Sequence, residues 1–248
     1  MRYDRMLDNK NVIITGTSEI AKTTAGLFIE HGANVVIAGP ADVTDDELMN
    51  VEYFDTGHDF DVIGLCNRYK NRYIAPDVWF NCIDTFIPGF IDEIEDEELD
   101  KIINFYITMP FLFMKEMLPA MVANETGGSI IQMCSYVLGG HNGVSGYAAG
   151  NGGLFAMTNA LAMEYAPHGI RANTIIPGLS LVCEDTDVEE GYWERTQLLK
   201  RKGTKTEIAN LALFLASDMS KHITAEAIYI NGGQHIIPHN NTYKIHYS

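Results

Sequence analysis

GGSIIQMCSYVLGGHNGVSGYAAGN, which spans residues 127–151, is the stretch that decides the fold of this 248-residue chain. It opens with an apolar strand at residues 129–133, passes Ser135 and a glycine-rich loop, and enters a helix near Tyr147. A hydroxyl at the carboxyl end of a strand and a phenol twelve residues later can meet over the mouth of a parallel α/β sheet, where open sheets bind ligands. The stretch therefore predicts a ligand site that contains Ser135 and Tyr147.

Short apolar segments alternate with segments of helical pattern along the rest of the chain. Further strands are predicted at residues 11–15, 34–38, 51–54, 77–80, 171–176 and 227–230, and helices at 20–31, 61–69, 95–121, 147–166 and 206–216. This order predicts a doubly wound parallel sheet of Rossmann type in three α/β/α layers, as a single domain over residues 1–248. Residues 39–50 leave little room for a crossover helix, and Pro110 should bend the helix at 95–121.

The charge balance excludes several classes of partner. There are 33 acidic and 17 basic residues, and the formal net charge is −16 at pH 7. Nucleic acids and anionic membranes both need a basic surface, so we expect neither as a partner. No run approaches the roughly 18 apolar residues that span a bilayer, and the N-terminus has no apolar signal core. We therefore expect a cytoplasmic protein.

The cysteine and histidine residues do not indicate a metal site. The four cysteines form no CxxC pair and no metal-ligand spacing, and His235, His239 and His246 have no helical spacing. We expect no metal. Cys82 and Cys134 lie in apolar strand contexts, which favours buried free thiols in a reducing compartment.

Together with a Thr15-Gly16 turn after the first strand, Ser135 and Tyr147 give the chain a resemblance to the short-chain dehydrogenase/reductase family over nearly its whole length. The resemblance implies that Ser135 and Tyr147 are the catalytic serine and tyrosine. It also implies a lysine four residues after the tyrosine and an asparagine in the long helix. This chain has Asn151 and Tyr106 at those positions. Asn104 lies two residues earlier, about 200° around the helix, and cannot substitute.

The first turn departs from the glycine pattern that the resemblance implies for a dinucleotide. Residues 15–21 read TGTSEIA where the family has TGxxxGxG. Gly16, Ser18 and Ile20 remain as candidate cofactor contacts. Glu19 falls where the middle glycine belongs, and its carboxylate would repel a diphosphate. An ordinary strand-to-helix turn is the alternative interpretation.

Other cofactor positions that the resemblance implies are partly retained. Asp55 matches the aspartate on the adenine side, although an aspartate in a turn needs no ligand. Asn81 remains from the family's NNAG sequence, but Ile83 replaces its glycine. At the end of the second strand, Gly39 supplies neither an acidic side chain that could bind the ribose of NAD nor a basic side chain that could bind the extra phosphate of NADP. Residues 179–182 lack the threonine that many relatives place against the nicotinamide.

The missing lysine bears directly on the chemistry. In the family the tyrosine is the general acid or base, the serine holds the carbonyl oxygen, and the lysine lowers the pKa of the tyrosine. Free tyrosine has a pKa of about 10, so without a cation about one phenol in a thousand is ionised at pH 7, a handicap of roughly 4 kcal/mol for alcohol oxidation. Reduction suffers less because a neutral phenol still donates a proton. His141 is a second candidate acid or base, although it is also consistent with an ordinary exposed loop histidine.

Two main functions remain open from the sequence. The leading hypothesis is a non-catalytic structural or regulatory subunit, similar to the inactive partner in a hetero-oligomeric member of the family, for which no cofactor is expected in the isolated chain. The alternative is an atypical NAD(P)-dependent carbonyl reductase or alcohol dehydrogenase that uses Ser135 and Tyr147, with NAD or NADP. A cofactor-free lyase or isomerase is a third. In each case the helices at 95–121 and 147–166 predict a homo-oligomer or a hetero-oligomer with a related chain.

Overall fold

A seven-stranded parallel sheet forms the centre of the protein. The computed structural model describes residues 5–39, 51–56, 61–83, 85–178 and 191–236. The strands are β1 (Asn11–Thr15), β2 (Asn34–Gly39), β3 (Val51–Asp55), β4 (Val78–Asn81), β5 (Gly128–Met133), β6 (Ile170–Pro177) and β7 (Ala227–Ile230). Their order is β3-β2-β1-β4-β5-β6-β7, and every neighbouring pair is parallel. The chain therefore reverses direction across the sheet between β1 and β4, which is where doubly wound sheets bind ligands.

Helices cover both faces of this sheet. They are α1 (Glu19–Glu30), α2 (Val62–Tyr73), α3 (Asp96–Ile103), α4 (Met109–Ala123), α5 (Ser145–Tyr165), α6 (Tyr192–Thr196) and α7 (Lys205–Ala216). Buried side chains of α1 and α7 pack with one set of strand residues, and those of α2, α4 and α5 pack with the alternate set. The prediction of a three-layer, doubly wound Rossmann-type fold is confirmed.

The long helix predicted at residues 95–121 is interrupted in the structure. A π-helical turn, Asn104–Thr108, separates α3 from α4, and the N–H of Met109 donates to the carbonyl of Asn104, five residues earlier. Pro110 follows at once and has no N–H to donate to the carbonyl of Tyr106. The proline was expected to bend the helix, and the widened turn shows how the backbone accommodates the lost hydrogen bond.

The structure describes three of the four cysteines. Cys82 and Cys134 are buried and form no disulfide, as predicted. Cys66 is buried as well, and burial raises the pKa of its thiol to about 12. Cys183 and the short connection at residues 40–50 lie outside the described residues. Among the described helices, none is both long and apolar enough to cross a bilayer.

Candidate active site

Ser135 and Tyr147 lie at the carboxyl edge of the sheet. Ser135 follows β5 and begins the 3-10 turn Tyr136–Gly139, and Tyr147 lies in the first turn of α5. They have only 3% and 2% of their surface exposed. The β5 strand adjoins β4, and the strand order reverses on the other side of β4, between β4 and β1, so both residues lie close to the place where the fold binds a ligand.

Asn151 joins these two residues through the backbone. Its side-chain oxygen accepts a hydrogen bond of 2.7 Å from the N–H of Ser135, and its amide nitrogen donates one of 2.9 Å to the carbonyl of Tyr147. The residue is fully buried, and its own carbonyl accepts the thiol hydrogen of Cys134 at a sulfur–oxygen distance of 3.7 Å. Asn151 stands where the family has lysine, and its side chain links the segment after β5 to the first turn of α5.

Tyr106 packs against the other side of Tyr147. The two rings meet edge to face, with centroids 5.5 Å apart and an interplanar angle of 87°. The Tyr106 hydroxyl donates to the carbonyl of Thr85 and accepts from its N–H, both at 3.2 Å. A Cβ on Gly150 would lie 2.7 Å from Cγ2 of Ile102 and 3.1 Å from the Cβ of Tyr106, so this glycine allows the segment that carries Tyr106 to approach α5 closely. Tyr106 thus anchors the segment after β4 to the centre of the site.

Phe86 is a site residue that the sequence analysis missed. Its ring meets that of Tyr147 edge to face at a centroid distance of 5.0 Å and an angle of 85°. The N–H of Gly89 donates to the carbonyl of Gly143 at 2.8 Å, and Gly89 pairs with Val144 in an isolated parallel bridge. The segment that carries Phe86 is therefore bound to the loop before α5. Nothing in the local sequence TFIPGF distinguishes Phe86 from Phe90, since only these long-range contacts separate them.

The turn between β1 and α1 retains the backbone features of a phosphate-binding turn. Gly16 has a φ of +107°, and a Cβ there would lie 2.5 Å from the carbonyl oxygen of Cys82. Ser18 is the N-cap of α1, and its hydroxyl accepts the N–H of Ala21 at 3.4 Å. Ile20 has its side chain in the core, so only its backbone faces the turn. The first N–H groups of a helix attract anions, which suits a diphosphate.

Two lysine side chains lie close to Glu19, the residue whose carboxylate is expected from the sequence to repel a diphosphate. Glu19 is the first residue of α1, its side chain is 53% exposed, and its carboxylate oxygens lie 3.6 Å from Lys22 Nζ and 4.0 Å from Lys205 Nζ. Lys205 begins α7, which packs on α1. Two ammonium groups therefore balance the one carboxylate at this end of the helix, and the expected repulsion is reduced.

The ribose end of the predicted cofactor site is altered. A Cβ on Gly39 would lie 2.2 Å from Cγ2 of Thr17, so the threonine side chain rests against the end of β2 where the family carries an acid. Asp55 is exposed at the end of β3, beside Gly39 in the sheet register, and its backbone carbonyl accepts a hydrogen bond from Arg68. The residues thus fit the diphosphate of a dinucleotide better than its adenosine ribose.

Asn81 has a structural partner on each side. The Thr15 hydroxyl donates to its side-chain oxygen at 2.7 Å, and its amide nitrogen donates to the side-chain oxygen of Gln132 at 2.7 Å. The Trp79 indole donates to the Thr15 hydroxyl at 3.2 Å, which extends the row. The Asn81 side chain therefore links β1, β4 and β5 beneath the cofactor turn, and its contact with a cofactor would have to come from the backbone.

His141 and a metal site are the remaining candidates from the sequence. His141 lies in the loop between Ser135 and Tyr147, with its ring 6.0 Å from that of Tyr136 and its Nδ1 3.1 Å from the carbonyl oxygen of Asn142. No group of three or more potential metal ligands occurs among the described residues. Residues 179–182 lie outside the described part of the chain.

Comparison with known proteins identifies the class. A family model described as enoyl-(acyl carrier protein) reductase matches residues 14–235. A trans-4-hydroxycyclohexanecarboxylate dehydrogenase of Sinomonas cyclohexanicum is 31% identical over 93% of this chain and 94% of its own. The 3-oxoacyl-[acyl-carrier-protein] reductase FabG of Staphylococcus epidermidis is 29% identical over 92% of this chain and 100% of the FabG chain. With the fold and the paired serine and tyrosine, these matches show that the chain belongs to the short-chain dehydrogenase/reductase family.

Solved structures give the same fold. A gluconate 5-dehydrogenase from Burkholderia cenocepacia, in complex with NADP and tartrate, superposes with a TM-score of 0.83 at 24% identity, over 93% of this chain and 97% of its own. An L-sorbose reductase from Gluconobacter frateurii, complexed with NADPH and L-sorbose, has a TM-score of 0.83 at 22% identity, over 94% and 99%.

The hypothesis of a non-catalytic subunit is wrong. The curated relatives that match more than nine-tenths of the chain are named as reductases and dehydrogenases, and the expectation that the isolated chain needs no cofactor rested on that hypothesis. From the sequence alone, every altered position looks like the loss of a functional group. Three of those positions instead make contacts within the site: Glu19 with two lysines, Tyr106 with Thr85, and Asn151 with Ser135 and Tyr147.

Proposed function

We propose that the protein is an NAD(P)-dependent oxidoreductase that interconverts a carbonyl group and an alcohol and works mainly as a reductase. The observation that carries this proposal is the Asn151 amide, which bonds Ser135 on one side and Tyr147 on the other. Its partners are the backbone N–H of Ser135 and the backbone carbonyl of Tyr147, so a single buried side chain links the backbone at these two positions. The relatives named as reductases and dehydrogenases support the same reaction class.

The chain's own residues suit the binding of NAD or NADP at the turn after β1. Gly16 and the N-terminal N–H groups of α1 would hold the diphosphate, with Ser18 fixing the start of the helix and Asp55 nearby on the adenine side. When it is bound, the nicotinamide supplies or accepts the hydride. Lys22 and Lys205 lower the repulsion between Glu19 and the diphosphate.

Proton transfer falls to Tyr147. The Ser135 hydroxyl would hold the substrate oxygen, and the Tyr147 hydroxyl would donate a proton to it in reduction or accept one in oxidation. Asn151 carries no charge, so it does not stabilise a phenolate as lysine would. A neutral phenol is already the proton donor that reduction needs, which favours the reductive direction.

Turnover of the purified full-length chain tests this proposal. Oxidation of NADH or NADPH would be followed with a panel of ketones, and Tyr147→Phe should lower kcat at least 10²-fold, because it removes the general acid. Ser135→Ala should lower it by about 10²-fold through loss of a preorganised donor. Tyr165→Phe, at the far end of α5, is the matched control and should keep wild-type turnover. Unchanged turnover in Tyr147→Phe would refute the assignment and make His141 the next residue to test.

We also propose that the protein is a homo-oligomer. Several apolar residues of the helices expected to assemble, including Ile102, Phe113 and Leu154, are buried in the core and do not support assembly. Other apolar side chains of α3, α4 and α5 remain exposed: Leu99 at 38%, Ile103 at 40%, Phe111 at 57% and Met163 at 73%. A two-fold contact between copies would cover them. Light scattering should show a dimer or larger species at micromolar concentration, and Phe111→Glu should shift it towards monomer.

A further inference from the structure

A row of polar side chains crosses the sheet near the carboxyl ends of four neighbouring strands. Thr15, Asn81, Gln132 and Thr174 are register neighbours on β1, β4, β5 and β6. The residue two positions before each of them belongs to the apolar cluster between the sheet and α2, α4 and α5. Because strand side chains alternate between faces, all four polar side chains lie on that same face. All four are buried, so their polar groups need partners within the protein or on a bound molecule.

The direction of hydrogen bonding along this row is fixed at one end by Trp79, whose indole nitrogen can only donate. The indole donates to Thr15 Oγ1 at 3.2 Å, and the Thr15 hydroxyl donates onward to Asn81 Oδ1 at 2.7 Å. The Asn81 amide nitrogen then donates to Gln132 Oε1, also at 2.7 Å. A flipped Asn81 amide would place two donors on Thr15 and leave its hydroxyl hydrogen without an acceptor in the row. The Gln132 amide nitrogen is therefore the last donor of the row.

Two polar atoms at the β6 end of the row have no partner in the described part of the chain. They are Gln132 Nε2 and Thr174 Oγ1, and both are buried. Neighbouring strands lie about 4.8 Å apart, so these two side chains are adjacent, yet their polar atoms do not bond to each other. Leaving one buried polar atom unpaired is costly, and two such atoms on adjacent residues indicate a small molecule that pairs with both.

We propose that one buried water molecule is bound between Gln132 and Thr174, where it accepts a hydrogen bond from Gln132 Nε2 and forms a second with Thr174 Oγ1. Buried waters bridge polar groups that otherwise lack partners, and two to four partners hold one. A metal ion does not fit, because an amide N–H group cannot ligate it. An anion does not fit either, because it would lose its hydration beside uncharged side chains. The water extends the hydrogen-bonded row from β1 to β6, three residues before Ser135 on β5's own chain.

The variant Thr174→Val tests the bridge through the sign of its effect on Tm. Valine has nearly the shape of threonine but no hydroxyl, so in a dry gap it would remove an unpaired buried polar atom and raise Tm. With the water bound, the variant removes one of the partners of that water, and we expect Tm to fall by about 2–4 °C. An unchanged or raised Tm, with folding verified by circular dichroism, would overturn the proposal.

Thr158→Val is the matched control on α5. Thr158 is also fully buried, but its hydroxyl donates to the carbonyl of Leu154 in its own helix at 2.8 Å. Such a bond within a helix adds little stability, so Tm should change by less than about 2 °C. A fall in Thr158→Val as large as that in Thr174→Val would assign both effects to the loss of a threonine hydroxyl in general and would count against the water.

A high-resolution crystal structure of the full-length chain would locate the water directly. We expect density for one ordered water about 2.7–3.2 Å from both Gln132 Nε2 and Thr174 Oγ1. A direct hydrogen bond between these two side chains, or a well-ordered core without this density, would overturn the proposal whatever the Tm values show. Neither measurement uses turnover, so each outcome is independent of the proposed oxidoreductase function.

Discussion

Replacing Asn151 with lysine should damage this enzyme, although the family resemblance alone predicts the opposite. From the sequence, a lysine at position 151 would stabilise the Tyr147 phenolate and improve alcohol oxidation near neutral pH. In the structure Asn151 is fully buried and uses its side-chain oxygen and nitrogen for bonds of 2.7 and 2.9 Å. Lysine has no acceptor atom for the N–H of Ser135, and its ammonium would have to leave this buried position or lose its hydration.

The magnitude follows from the hydrogen bonds that are lost. Leaving a buried donor or acceptor unpaired costs about 1–3 kcal/mol each, so Asn151→Ala, which removes the partner of one donor and one acceptor, should lower stability by about 2–6 kcal/mol. For a chain of this size about 1 kcal/mol shifts Tm by about 2–4 °C, which gives a loss of about 4–24 °C. Asn151→Lys should lose at least as much. Ser135 would also be less well placed, so kcat for reduction should fall in both variants.

Differential scanning calorimetry and NADPH-dependent ketone reduction would measure these effects. Asn159→Ala is the matched control on the same helix, because the Asn159 side-chain oxygen is buried without a hydrogen-bond partner. Its Tm should change by less than about 4 °C, the equivalent of about 1 kcal/mol. The reasoning is refuted if Asn151→Lys keeps the wild-type Tm and oxidises alcohols faster near pH 7.

Three further changes test the turn, one helix cap and one partly buried cation. Gly16→Ala should weaken NAD(P)H binding and lower Tm, because its φ is +107° and a Cβ would lie 2.5 Å from the Cys82 carbonyl oxygen. Glu207→Gln should lower Tm by about 1–3 °C at pH 6 and by nothing near pH 2, since Arg201 lowers the pKa of Glu207 from 4.5 to about 2 and the stabilisation is lost as pH falls through that range. Arg171→Met should cost about 2–4 kcal/mol, because the guanidinium donates to carbonyls beyond the end of α7 and at residue 215 within it.

Each of these three predictions has a distinct contrary result. Titration calorimetry that gives Gly16→Ala the wild-type affinity for NADPH would exclude the turn as the diphosphate site. A Tm difference for Glu207→Gln that persists at pH 2 would assign its effect to packing instead of charge. Wild-type stability in Arg171→Met, measured by urea unfolding, would show that the carbonyls at the end of α7 need no cation.

Local pattern was enough to predict the fold. The alternation of apolar and helical patterns in the sequence predicted the ends of all seven strands to within a residue or two, because apolar periodicity indicates which side chains are buried. The positions of Ser135 and Tyr147 at the carboxyl edge also followed from the sequence, since the ends of parallel strands meet at one edge of a sheet. Gly16 was recognisable in the same way as a turn after the first strand.

Only the tertiary structure decided what the altered positions do. The sequence shows an uncharged residue at 151 and an acid at 19, but not that Asn151 joins Ser135 to Tyr147 or that Glu19 meets Lys205, 186 positions further along the chain. Likewise, Phe86 and Phe90 have the same side chain in the same segment, and only one contacts Tyr147. Such contacts depend on the packing of elements that are distant in the chain, whereas a sequence pattern records only the preference of each element for strand, helix or turn.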